Sequence, residues 1–246
     1  MGQYHFGAGS LYGITDDTTP TPIQFGTLQE VTIDFSSTIK ELFGQNKFAD
    51  AAAQGQMKVT GKAKFGKINA NAYNKLFFNQ TLSANNMYLV SQNESGTVPT
   101  ASEYTVTVAN SSTFDRDLGV IYASTGLPLT RVTTLTAAGQ YICANGVYTF
   151  YSGDAGASMY ISYIYTSSSA GNTITLKNAA TGTATPWTGI FNGKFNNKQV
   201  TMILNACVSN KLSLISTKVE DFTVPELDFT ATCDSAGVLG YLSTVE

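Results

Sequence analysis

The chain has 246 residues, enough for one large β-domain or two smaller ones. Its hydrophobic content of 43% supports a packed core, yet charged residues make up only 13%, well below the usual quarter. A net charge of −3 argues against a protein that grips nucleic acid, which would show a basic stripe, though not against a surface that DNA slides past. Ser, Thr, Asn, Gly and Ala fill the charge deficit. Such a surface reads as one buried against neighbours, or as that of a secreted β-domain.

In chain order, residues 1–27 are rich in Gly, Thr and Pro and predict mostly loop, with Pro20 and Pro22 stiffening the approach to the first strand. Around "EVTIDF" the pattern alternates: Val31, Ile33 and Phe35 point one way, Glu30, Thr32 and Asp34 the other. A second alternating strand carries Val59, Gly61, Ala63 and Phe65 on one face and Lys58, Thr60, Lys62 and Lys64 on the opposite face. If the two pair antiparallel, acidic and basic rows share one polar face, and opposite charges contribute roughly 0.2–1 kcal/mol per cross-strand pair. Between them lie some twenty residues, Ser36 to Gln56, read as non-strand, where a hairpin turn usually needs about two to five.

"KINANAYNKLFFNQ" places Ile68, Ala72 and Leu76 at helical spacing beside Tyr73 and Phe77, predicting one short amphipathic helix that caps a sheet. From 88 to 187 the pattern changes to short strands with frequent turns: "EYTVTV", "GVIYAS", "QYICANGVYTFY", "SMYISYIYT" and "NTITLKN". Asn145-Gly146 is a strong two-residue hairpin signal. "MYISYIY" predicts a strand covered on both faces. From 188 longer alternating strands like those of the first 87 residues resume. "KQVTMILNACV" and "NKLSLIST" read as strands joined by a turn at Ser209-Asn210. In "TVPELDFTATCD", Leu227, Phe229, Ala231 and Cys233 point inward and Glu226, Asp228, Thr230 and Thr232 outward. The fold class is therefore mainly β: a discontinuous domain, 1–87 plus 188–246, interrupted by an all-β insertion, 88–187.

No chemistry is legible. The one histidine, His5, sits on a Gly-rich start, so neither a Ser-His-acid nor a Cys-His arrangement can be built around it. The acidic pairs Asp16-Asp17, Asp115/Asp117 and Glu220-Asp221 fall in or near loops and lack calcium-loop spacing. "GQMKVTGKA" has the wrong glycine gap for a phosphate loop, with Ala63 where Ser or Thr is needed. Trp187 and the tyrosines fit core or interface better than a sugar platform. Cys143, Cys207 and Cys233 are odd in number and match no metal spacing, so buried thiols of a reducing cytoplasm are expected; an intermolecular disulfide is the alternative. The N-terminus lacks the features of a signal peptide, Phe6 replaces the myristoylation Ser/Thr, and no apolar run is long enough to span a membrane. The triplets at Asn79, Asn93 and Asn110 match the glycosylation pattern, which matters only in an exported chain. The expectation is a non-enzyme without cofactor or metal.

"TLQEVTIDFSSTIKELFGQNKFADAAAQGQMKVTGKAKFGKINANAYNKLFF" together with "LNACVSNKLSLISTKVEDFTVPELDFTATCDSAGVLGYLSTVE" resembles the bacteriophage tail tube proteins. The likeness is of architecture and covers the discontinuous domain, with no sharp motif. It implies a β-barrel or sandwich fold whose copies join edge to edge in hexameric rings, stacked into a conduit for DNA ejection. It also implies a virion tail protein made in the host cytoplasm. Its partners would be itself, double-stranded DNA in transit without sequence-specific binding, a tape measure protein, tail terminator and baseplate proteins, and a sheath only if the tail contracts. In that family the long strand-to-strand loop reaches the neighbouring ring. Here Leu42, Phe43 and Phe48 would dock, with Lys40, Glu41, Lys47 and Asp50 as a polar rim. Glu30, Thr32, Asp34, Lys58, Thr60, Lys62 and Lys64 become candidates to line the pore, with Glu226 and Asp228 as rivals. An insertion outside the barrel favours a tail without a sheath. The alternatives are a capsid decoration or head-closure protein, or a secreted binding module.

Overall fold

The computed structural model describes residues 4–16, 18–67, 69–169, 171–178, 180, 182, 185–217 and 219–245. The chain divides into two compact units, residues 1–81 with 174–246, and residues 82–173. In chain order the strands are β1 (Ser10–Thr15), β2 (Pro22–Gln24), β3 (Leu28–Phe43) and β4 (Ala49–Phe65), then helix α1 (Ala70–Tyr73). Next come β5 (Thr81–Ala84), β6 (Met87–Thr97), β7 (Thr105–Thr107), β8 (Phe114–Tyr122), β9 (Thr130–Arg131), β10 (Gln140–Ala144), β11 (Val147–Phe150), β12 (Ser158–Ser167) and β13 (Asn172–Thr175). The last four are β14 (Trp187–Phe195), β15 (Lys198–Ser213), β16 (Glu226–Thr232) and β17 (Gly240–Thr244). The unit junctions differ from those read off the sequence: Met87 and Tyr88 open β6 of the second unit, and Trp187 opens β14 of the first. Both units are β-rich with small polar turns, so composition does not mark the crossing.

The first unit is built on one sheet of order β2-β1-β14-β15-β16-β4-β3, with β17 paired to β15; among the described residues no sheet closes into a barrel. The 16-residue strand β15 serves both halves of this sheet. Its first part pairs with β14 and β17, and its second part with β16. The core lies between the halves. Trp187 from β14 meets Phe229 from β16 edge to face at 5.1 Å, with Leu11, Ala63, Leu204, Cys207 and Leu227 buried around them. The indole N–H donates to Ser209 Oγ at 3.0 Å, so the tryptophan is buried without an orphaned donor. Asn69 caps α1 by accepting from the backbone N–H groups of Asn71 and Ala72. The helix continues as a π-turn, Asn74–Phe78, which brings Tyr73 and Leu76 into the core beside Phe65 and Gly13. Ile68 and Asp17 lie outside the described residues.

Four sequence expectations for this unit are corrected. Residues 1–27 contain β1 and β2; β1 alternates, but its only large buried apolar side chain is Leu11, so the signal is weak. The 36–56 segment is largely strand rather than loop, because it pairs with itself as a long ribbon. Ser209-Asn210 is not a turn: β15 runs through it, absorbing one extra residue as a bulge between Ser209 and Lys211. Cys233 is exposed, because β16 ends at Thr232. Cys143 and Cys207 are buried.

The second unit holds a three-stranded sheet, β6-β12-β8, and a four-stranded one, β7-β11-β10-β9. Asn145 and Gly146 take positive φ at the β10–β11 hairpin, as that dipeptide predicts. Tyr141, Tyr148, Phe150, Met159, Ile161 and Tyr163 fill its core. β12 is covered on one face only, since Tyr160 is exposed beside buried Met159 and Ile161. The buried phenols end on carboxylates: Asp117 accepts from Tyr141 and Tyr148 at 2.8 and 3.0 Å, and Glu94 from Tyr163 at 2.6 Å. Asp154, itself buried, accepts from Tyr122 at 2.5 Å. Burial and then this carboxylate push the Tyr122 phenol up to about 12, so it stays a donor at neutral pH.

Gly61 supports the first core directly. The Phe229 ring lies across it from the paired strand, in the space a Cβ would occupy. Gly61→Val is expected to destabilise the protein by about 1–3 kcal/mol through overpacking. Thr60→Val, on the opposite face of β4, should change stability by less than about 0.5 kcal/mol. Urea unfolding of the two variants checks this contrast.

Candidate assembly face and projecting arm

Strands β3 and β4 form a ladder far longer than the body of the sheet. Pairing runs from Leu28↔Phe65 through Phe35↔Val59 to Phe43↔Ala49, with shifts at Ser37/Ile39 and Leu42/Phe43. β16 follows β4 only from Lys64 to Val59. Beyond that point no described strand lies beside the ribbon. The segment expected as a loop is therefore a two-stranded arm that leaves the sheet and turns only at residues 44–48. Both faces of the arm are open, so no in–out alternation marks it as strand, and its Ala, Gln and Gly content is poor in strand formers.

The structure places Lys40, Glu41, Leu42 and Phe43 at the end of β3, Lys47 and Phe48 in the turn and Asp50 at the start of β4. Phe48 is 85% exposed, Leu42 66% and Phe43 57%. Ile39 and Met57, which the sequence pattern does not single out, are equally open. Eight residues from Ser36 to Phe43 carry the tip roughly 25 Å from the sheet. A lone ribbon of this kind is marginal in water, and here it presents apolar groups on both sides.

At the root of the arm the polar rows share one face. Glu30 stands opposite Lys64, Thr32 opposite Lys62, Asp34 opposite Thr60 and Ser36 opposite Lys58. On the other side of β4, Lys64 faces Glu226 and Lys62 faces Asp228. The two sets that stand as rivals in the sequence thus lie on one surface. Lys211 completes it, since the bulge at Asn210 turns Lys211 toward Asp228. Across β3, β4, β16 and β15 the charges alternate: Lys64 pairs with Glu30 at 2.6 Å, and Glu226 accepts from Lys62 and Lys211, each at 3.1 Å. Asp228 lies 3.9 and 3.8 Å from the same two ammonium groups. The hydrogen bonds from Lys62 and Lys211 hold the Glu226 carboxyl below the usual carboxylate range, and the bond to Glu226, then Asp228, raises Lys62. Four carboxylates (Glu30, Asp34, Glu226, Asp228) and four ammonium groups (Lys58, Lys62, Lys64, Lys211) leave this face neutral in sum.

Two of the free edges of this sheet flank the charged face, apart from those at β2 and β17. Among the described residues β3 pairs with β4 alone. On its far side, β15 keeps β14 only as far as Cys207, and no described strand pairs with residues 208–213 on that edge. Successive strands are antiparallel. A β3 edge from one copy and the 208–213 edge from another therefore run in opposite senses and can continue the same ladder. Elsewhere, His5 stacks obliquely on Phe191 at 5.8 Å, and among the described residues no cluster of three or more His, Cys, Asp or Glu could hold a metal ion. No protein-family model matches the chain, and no curated protein matches it.

Glu226 binds its proton more weakly when folded than when unfolded, so its contribution is present above the unfolded carboxylate pKa and fades as pH falls through the folded value. Glu226→Gln should therefore lower stability slightly at neutral pH, with the difference from the parent disappearing on acidification. Thermal melts of both proteins across the acid range test this.

Proposed function

We propose that this chain is a structural subunit of a virion tail tube, assembling with copies of itself into rings that stack around a conduit for DNA. The observation that carries the reading is the arm: a paired ribbon standing clear of its own sheet with Ile39, Leu42, Phe43 and Phe48 open to water. Covering apolar surface stabilises by roughly 25 cal/mol per Å², and its own subunit does not supply that cover. The stacking partner in this reading is the neighbouring ring.

The sheet edges support the same conclusion. Free edges invite pairing with other chains and are removed when a sheet closes on copies of itself. With β3 and the 208–213 edge joined from copy to copy, the neutral face of alternating charge becomes one continuous wall. In the ring it lines the pore. A wall rich in unpaired Lys would hold phosphates by counterion release, whereas ammonium groups already shared among carboxylates do not. The hexameric count, the tape measure partner and the terminator and baseplate partners follow from the tail tube resemblance.

Deleting residues 40–52 is expected to leave rings that no longer stack, seen by negative-stain microscopy of the purified protein alone or with tail initiators. The double variant Phe43→Ser, Phe48→Ser should do the same while changing monomer stability by less than about 0.5 kcal/mol, because both side chains are exposed. Tubes of unaltered length from either variant would contradict the arm's role. Trimers on capsids, or a monomer that binds glycans, would support a decoration protein or a binding module instead. Cryo-microscopy that places Glu30, Lys62, Lys64 and Glu226 on an outer wall would overturn the pore assignment.

A further inference from the structure

The connection between β15 and β16, residues 214–225, starts and ends packed into the body at Leu214 and Pro225, and between them it carries a second group of exposed apolar side chains. Val219 is fully exposed, and Phe222 and Ile215 are 92% and 82% exposed. Its position follows from the register. Ser213 pairs with Glu226 and Glu226 with Lys64, while Phe65 pairs with Leu28. The connection thus leaves the sheet at the end opposite to the arm.

Near the arm's root the same unit has an apolar groove of about 240 Å³, lined by Phe35, Met202, Leu204, Leu239, Tyr241 and Leu242. Its apolar floor continues past Val31, Ile33 and Phe191. Phe35, Tyr241 and Leu242 are each at least half exposed along it. Met202 lies eleven residues before Ser213 on β15, roughly 35 Å along the strand from the 214–225 connection. In this chain Ile215, Val219 and Phe222 stand exposed and line no part of the groove.

We propose that the 214–225 connection of one copy seats Ile215, Val219 and Phe222 in the Phe35–Leu242 groove of the next copy. This deepens the tail tube reading and rests on its head-to-tail stacking. An exposed apolar group at one end of a sheet and a groove near the other make a heterologous contact, which propagates rather than closing as a dimer. Area favours a second copy as the occupant. The open apolar side chains of the arm amount to about 500 Å² and those of the connection to about 400 Å², taking about 100–200 Å² per large side chain. At one stacking interface the arm comes from one partner and the connection from the other, each covering a matching area on its neighbour, so each partner buries about 900 Å², above the about 800 Å² of a standard interface, whereas either contact alone falls short. The arm and the connection then act as two contacts of one stacking interface, reaching from opposite ends of each subunit.

The test is cysteine pairing in a Cys233→Ser background, which removes the exposed thiol. One of Val219→Cys or Phe222→Cys is combined with Tyr241→Cys or Leu242→Cys in the full chain, concentrated and oxidised. The proposal predicts a reducible ladder extending beyond the dimer when both cysteines are on one chain. Mixing two single-cysteine variants should give dimers only. Negative-stain images of the same samples separate the two readings. Tubes or ring stacks with no cross-link in any of the four pairings overturn the groove assignment and leave the tube standing. Neither cross-links nor assemblies overturn both. A ladder without tubes supports the contact and counts against the tube. Val219→Asp with Phe222→Asp is expected to abolish stacking, and unchanged tubes from that variant would also overturn the proposal.

Discussion

An unfinished sheet organises this protein. β3 and β4 are held to the body by the β16 ladder and by the Phe229 ring over Gly61, then run on without support as the arm. Backbone pairing within the ribbon satisfies one edge of each strand only, and its apolar side chains find nothing to pack on. Such an element is retained at low local stability unless something covers it. The proposal that copies of the same chain supply that cover rests on low overall charge, free strand edges and two exposed apolar groups at opposite ends of the first unit's sheet.

The body of the first unit explains how the arm can be carried at all. Trp187, Phe229, Phe65 and Leu204 form a core that makes no demand on the ribbon, and β15 ties both halves of the sheet together. Charge is placed where it does least harm. The Lys and Glu side chains of β3, β4, β15 and β16 pair across the strands, so a surface with eight ionisable groups has no net charge. Individually such exposed pairs contribute little to stability. Their collective effect is on what the surface attracts, the property on which the proposed passage for DNA rests. The second unit solves its own problem separately, burying a tyrosine-rich core whose hydroxyls terminate on Asp117, Glu94 and Asp154.

What the sequence reveals depends on one-sided burial. Where one face is wet and the other dry, alternation is strict, and the faces of β3, β4 and β16 are legible: Val59, Ala63, Phe65, Leu227 and Phe229 are buried as the pattern predicts. That the acidic row of β3 and the basic row of β4 share a polar face is legible for the same reason, while the match of Glu30 with Lys64 comes from the register. The arm is not, because a ribbon wet on both faces has no period to detect; its apolar residues stand out, but as those of a loop. Lys211 is hidden because the bulge at Asn210 shifts the phase by one residue, and a bulge leaves no mark on composition. β1 is hidden because Leu11 is its only large buried apolar side chain, β2 by its shortness, and the unit junctions by the similar composition of the two units.

The central claim is that residues 36–56 are covered only by other copies. Amide hydrogen exchange on this segment, followed from dilute solution to the highest soluble concentration, tests it most directly. The account predicts rapid exchange in the dilute monomer and strong protection that grows with assembly. Equal protection at every concentration, in a protein that stays monomeric throughout, would contradict it.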